Sequence, residues 1–177
     1  MEGHTRYTAL LDACVLYPVA VCDALMSVAT TGLYAAKWTQ RIEQEWIGAL
    51  ESSRPELTGK LAVRRDSMRE AVPDWEVPEP AWKSLLATVE QCELPDTGDA
   101  HVIAAAIAGH ADCIVTMNLK HFPASVLDLY GIEAVDPDRF IVNQWDLDAL
   151  AIVTAFKVIW KREVCLPRPC DCGTRQA

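Results

Sequence analysis

Several carboxylates in this chain stand where an ordinary surface residue would not. Asp12 lies inside the otherwise apolar run ALLDACVL, residues 9–16. A carboxylate buried there costs several kcal/mol unless it has a partner. Asp96 and Asp99 open a stretch, residues 100–109, that is apolar almost all round. Glu45 lies in a segment with helical spacing, and Thr116 and Asn118 end the apolar run ADCIVTM at 111–117. Two or three such carboxylates brought together make an oxygen-only site, which suits Mg²⁺ or Mn²⁺ rather than Zn²⁺. Other readings stay open residue by residue. Asp96 and Asp99, three apart at a helix start, also fit a capping arrangement favoured by the helix dipole. Asp12 could be a turn residue, and Glu45 an ordinary exposed helix residue. Glu43 competes with Glu45, but residues two apart point to opposite sides of a helix, so at most one faces a common site.

The elements that must position these groups alternate. Residues 9–16 read as a short buried strand, followed by a helix from Pro18 to about Thr30 that Gly32 ends. Trp38 to about Glu51 reads as a helix with Thr39 as its N-cap. Residues 54–71 form a charged amphipathic helix with Leu57, Leu61 and Met68 inward. The Pro-rich stretch 73–80 is a loop leading to a helix at about 81–91, and a second early strand is expected near 72–77. The apolar helix at 100–109 should be buried. The run 111–117 suits a parallel strand covered on both faces, and IEAV at 132–135 is a further strand after a short helix at 123–130. Residues 145–162 read as a C-terminal helix. Strands alternating with helices indicate a parallel sheet, whose ligands bind at the carboxyl ends of the strands. That edge is where Asp12, Thr116 and Asn118 fall.

Composition narrows the class. The 177 residues are 51% hydrophobic, enough for one domain with a sizeable core. The expected organisation is a domain over 1–143, a helix over 144–162 and a loose tail over 163–177. No run reaches the ~18 apolar residues of a membrane span. With no secretory signal and four of the cysteines sitting singly in apolar segments, a cytoplasmic protein is expected. The net charge of −9 lacks the basic footprint usual in nucleic-acid binders, although carboxylates gathered around cations would account for part of it. Two basic groups, Arg54, Lys60, Arg64, Arg65 and Arg69, then Lys157, Lys161 and Arg162, are either contact surfaces or solvated helix faces.

Other chemistries fail on residues. A dehalogenase-type phosphatase needs a second Asp where Cys14 stands, and neither a Walker A nor a G-x-G-x-x-G sequence is present. The histidines show no zinc spacing, and His101 reads as a packing or capping residue. Cys165, Cys170 and Cys172 lack an evident fourth ligand.

The strand ALLDACVLYP, the helix WTQRIEQEW, the segment LPDTGDAHVIAAAIAGHADCIVTMNLKHFP and the ending YGIEAVDPDRF together resemble a PIN domain over roughly residues 9–142. They are most similar to the bacterial group that includes VapC-type toxins. The resemblance implies a three-layer α/β/α fold with a central parallel sheet. It implies a metal-dependent endoribonuclease acting on an RNA substrate with Mg²⁺ or Mn²⁺. Catalytic roles would fall on Asp12, Glu45, Asp99 and Asn118, and metal ligation on Asp12, Asp99, Asp96 and Glu45. It implies a homodimer and, for the toxin of a type II toxin–antitoxin pair, an antitoxin protein. Lys120, close by in sequence, could contact phosphate. Three departures matter. Cys14 stands where many PIN domains carry Asn, Asn118 where many carry Asp, and His121 where close relatives often carry Asp. The last two leave fewer charges for a second ion. They motivate an alternative, a catalytically weak PIN-fold module that binds RNA or protein.

Overall fold

A computed structural model describes residues 6–165, with side chains described to residue 161. Strand β1 (Thr8–Leu11) is shorter than the apolar run containing it, and its residues Ala9, Leu10 and Leu11 are fully buried. The chain leaves the sheet at Asp12 and turns at once into helix α1 (Ala13–Leu16), so the second half of the expected strand is helical. Pro18 then caps α2 (Val19–Ala29).

The second early strand is β2 (Ala35–Lys37), not residues 72–77. That later stretch supplies an isolated bridge, Glu76 to Trp38. Pro73 and Pro78 on either side carry no N–H, so a ladder cannot extend there. Helix α3 (Gln40–Ser53) starts at Thr39, whose hydroxyl accepts from the Ile42 amide at 3.1 Å as its sequence suggests. The helix expected over 54–71 is divided. A 3-10 turn at Pro55–Leu57 precedes Gly59, and α4 (Ala62–Ala71) begins only afterwards. Gly59 has φ +72°, a left-handed conformation that ends any helix passing through it.

Helices α5 (Glu79–Glu90) and α6 (Ala100–Ala108) pack against each other, with α6 lying on β1 and on β3 (Cys113–Val115). Residues Ala100 to Ala106 are all buried, as the apolar pattern requires. Gly109 follows at a close approach. A Cβ there would meet Val77 Cγ2 at 2.9 Å and the Ala105 carbonyl at 3.0 Å. A short helix, α7 (Ala124–Leu127), leads to β4 (Glu133–Val135).

The C-terminal helix expected over 145–162 corresponds to α9 (Ala149–Cys165), and its first three residues instead end a helix not expected from the sequence, α8 (Pro137–Leu147). Asp136 caps α8, accepting from Arg139 N at 3.0 Å, and Asp148 caps α9, accepting from Ala151 N at 2.9 Å. A boundary at residue 143 therefore falls inside α8. Beyond Cys165, the expected tail lies outside the described residues.

All strand pairings are parallel, in the order β2-β1-β3-β4. Leu10 pairs with Lys37 on one side and Ile114 on the other. Helices α2, α8 and α9 contact one another, and helices flank the sheet to give the three-layer α/β/α arrangement. Among the described residues, no helix is long and apolar enough to cross a membrane.

Candidate active site

The chain leaves β1 for β2 in one direction and later returns to place β3 on the other side of β1. This reversal makes the carboxyl ends of β1 and β3 the topological switch point, where open parallel sheets form crevices. Asp12 is the first residue after β1 and Thr116 the first after β3. The Asp12 amide donates to the Val115 carbonyl at 3.1 Å, so the ladder itself holds Asp12 beside β3.

Asp12 is 5% exposed, and no Lys, Arg or His pairs with it among the described residues. Its Oδ2 accepts from the Thr116 hydroxyl at 2.7 Å and the Cys14 thiol at 3.1 Å. Both bonds fall on the same oxygen. Oδ1 makes none among the described residues. Asp12 occupies the N-cap position of α1 but makes no capping bond, so the turn-residue reading does not account for it. Cys14 belongs to the same network. Its sulfur also receives the Met117 amide at 3.1 Å and lies 3.3 Å from Thr116 Oγ1. Burial and the neighbouring Asp12 charge push the Cys14 thiol up to about 11, so it stays protonated and donates at neutral pH.

Asp96, Asp99 and His121 form a second cluster. Each offers a ligand atom within 4.8 Å of the other two. Asp96 accepts from Gly98 N at 2.8 Å, the local capping bond that its position suggests. Asp99 does not cap α6, and its Oδ2 instead lies 2.7 Å from His121 Nδ1. Burial raises the Asp99 carboxyl above its ordinary range. The His121 bond opposes this, and the charges of Asp12 and Asp96 add to it. Asp99 thus feels Asp12 electrostatically, although Asp12 is not one of the three clustered residues.

Glu45 and Glu43 have separate fates. Glu45 is 36% exposed, with Oε1 2.9 Å from His101 Nε2 and 3.2 Å from Arg41 Nε. Burial pushes its carboxyl up, but His101 and Arg41 outweigh that and hold it below the usual range. Glu43 is buried, where it accepts from the Trp38 indole at 2.9 Å and from Arg69 through two nitrogens. Glu43 is therefore structural. The first basic group is in part structural as well. Arg69 pairs with Glu43 and covers Trp75, while Arg64 bonds the Leu16 and Tyr17 carbonyls and covers Trp46. The Asn118 side chain is exposed, its backbone amide donating to Thr116 Oγ1 at 3.0 Å. Lys120 is also exposed.

His101 is the residue that the sequence undervalued. It is 2% exposed, contacts Glu45 and leaves Nδ1 buried without a partner. The available signal was a polar side chain on a helix whose every face is covered.

A parallel sheet in this order, with carboxylates at its switch point, defines an open α/β domain with an acidic crevice. A family model described as "PIN domain" matches residues 8–120, and the chain belongs to the PIN-domain family. It is also similar to a Mycobacterium tuberculosis protein named as a candidate ribonuclease, VapC50. The two are 53% identical over 49 residues, 28% of this chain and 29% of that protein's length.

Proposed function

We propose that this chain is a metal-dependent endoribonuclease, the toxin of a type II toxin–antitoxin pair. The observation that carries this reading is Asp12. It is a buried carboxylate at the switch point whose Oδ2 accepts two hydrogen bonds and whose Oδ1 makes none among the described residues. Asp99 lies near enough for the two charges to repel. Repelling carboxylates in a partly buried crevice are stabilised by a cation, so the donor set fits Mg²⁺ or Mn²⁺.

Asp12, Asp99 and Asp96 would hold the ion, with Glu45 at the edge of the site. An ion held there would supply a water of lowered pKa and positive charge against the phosphate. The protein's own residues do the positioning. The Thr116 hydroxyl and the Cys14 thiol together fix the Asp12 carboxylate through its Oδ2. His101 and Arg41 keep Glu45 ionised, in a state able to accept a proton or orient a water. Asn118 and Lys120, exposed after β3, would face the RNA backbone. The family relationship supports cleavage leaving 5′-phosphate and 3′-hydroxyl ends, a homodimer, an antitoxin as inhibitor and a cytoplasmic setting.

One observation favours a second reading, a PIN-fold module without efficient catalysis. The Glu45 Oε1 atom is already engaged by His101 and Arg41. Labelled RNA incubated with Mn²⁺ and wild-type protein, beside Asp12→Asn and Asp99→Asn, separates the two. Cleavage by wild type alone supports the enzyme. Equal cleavage by all three exposes a contaminant, and no cleavage with any divalent ion supports the binding module.

A further inference from the structure

The resemblance suggests that His121, standing in place of Asp, leaves fewer charges for a second ion. The structure places its imidazole inside the cluster instead, with Nδ1 2.7 Å from Asp99 Oδ2 and Asp96 completing the group. We propose that His121 is a metal ligand, and that it converts an oxygen-only site into a mixed nitrogen–oxygen site preferring first-row transition ions over Mg²⁺. This rests on the metal-dependent reading above and names the class of ion that site takes.

The geometry carries the argument. Neighbouring ligands of an octahedral ion with bonds of about 2.1 Å stand roughly 3.0 Å apart. The His121–Asp99 pair is already close to that spacing, without a side-chain rearrangement. In the metal-free protein a hydrogen bridges the two atoms, and a divalent ion would take its place. Both residues are 25% exposed, open enough for an ion to enter and sheltered enough for the pair to be held in position. Carboxylate oxygens alone suit Mg²⁺, Ca²⁺ and Mn²⁺. Imidazole nitrogen adds affinity for the later first-row ions and little for Mg²⁺. A carboxylate at 121 would supply charge without that discrimination.

The test uses the full chain loaded with Mn²⁺ and read by pulsed electron paramagnetic resonance, in which a coordinated imidazole modulates the echo at nitrogen frequencies. Titration calorimetry with Mn²⁺, Ni²⁺ and Mg²⁺ runs alongside, with circular dichroism to confirm folding of the variants. Wild type is expected to bind Mn²⁺ with nitrogen modulation. His121→Asp is expected to retain Mn²⁺, lose the modulation and lose its preference for Ni²⁺ over Mg²⁺ roughly tenfold, the lower end of what disturbing a ligand shell costs. His121→Gln should lose the modulation as well. Mn²⁺ bound without modulation in wild type, or modulation persisting in His121→Asp, overturns the proposal and leaves metal dependence intact. In that case His121 merely pairs with Asp99. Failure of the wild type to bind any of the three ions overturns the metal-dependent reading itself.

Discussion

Glu43 and Glu45 are two residues apart on α3; the structure buries Glu43 in a structural pair and the proposed function gives Glu45 a catalytic role, so substituting each by Gln should dissociate stability from activity. Glu43 is 3% exposed and accepts from Trp38, which is fully buried, and from Arg69, whose side chain is 34% exposed. Glu43→Ala orphans the indole N–H, at about 1–3 kcal/mol. Breaking a fully buried ion pair costs about 3–5 kcal/mol, but Arg69 can turn to water and recover much of that. A total of about 2–4 kcal/mol follows, and at roughly 2–4 °C per kcal/mol for a chain of this size Tm falls by about 4–16 °C. Glu43→Gln keeps the shape and an acceptor but forfeits the charge-assisted part, for about 1–2 kcal/mol. Glu45→Gln keeps an acceptor for His101 on a half-exposed side chain and shifts stability by less than about 1 kcal/mol, while RNA cleavage collapses. Thermal unfolding followed by circular dichroism, with Mn²⁺-dependent cleavage measured well below Tm, reads both quantities. The assignment is refuted if Glu43→Gln abolishes cleavage at unchanged Tm, or if Glu45→Gln cleaves normally.

Four further outcomes follow from the same contacts. Thr116→Val removes the bond to Asp12 and the acceptor for the Asn118 amide. It should lower stability by about 1–2 kcal/mol and weaken Mn²⁺ binding by roughly 10–100-fold, measured by calorimetry. Gly109→Ala drives a methyl group onto Val77 and the Ala105 carbonyl, and should cost about 1–3 kcal/mol in urea unfolding without touching the site. Because Asp99 is held above its ordinary range, its ionised form weakens folding. That penalty is complete above the folded pKa and absent below the unfolded one, near ~3.9. Asp99→Asn should therefore raise Tm in EDTA at neutral pH, with the advantage fading as pH falls through the folded pKa and vanishing only below about 3.9, where Asp99 is protonated in both states. Burial pushes Cys113 up to about 12, raises Cys22 and holds Cys14 at about 11. Iodoacetamide at pH 8, followed by peptide mass mapping, should label half-exposed Cys92 well ahead of those three.

The layered fold was legible because its central pieces carry unambiguous patterns. Residues 100–109 are apolar on every side, and 111–117 form an uninterrupted apolar run, so a buried helix beside a covered strand was the natural reading. Strand β2 was not legible because three residues, Ala35–Lys37, are too few to show a period. The stretch at 72–77 looked more like a strand yet forms only a bridge, since the prolines around it block a ladder. Helix division at Gly59 was missed because amphipathic spacing continues across it, and α8 was missed although Asp136 and Pro137 mark its start. For the site, an Asp in an apolar run and a paired Asp at a helix start were visible as anomalies. Their neighbours were not. That Cys14 and Thr116 share one Asp12 oxygen, that His101 reaches Glu45 and that His121 turns toward Asp99 are facts of three-dimensional approach between segments up to 104 residues apart. No local spacing encodes them. Glu43 shows the converse, a charged residue on an ordinary-looking helix that the core consumes.

The central claim is that Asp12 and Asp99 share a divalent cation at the β1–β3 switch point. Anomalous diffraction at the manganese edge, from a crystal grown with Mn²⁺, measures this directly. The account predicts a manganese peak within coordination distance of Asp12 Oδ1 and an Asp99 carboxylate oxygen. A fully Mn²⁺-saturated crystal with no peak bridging those two residues would contradict it.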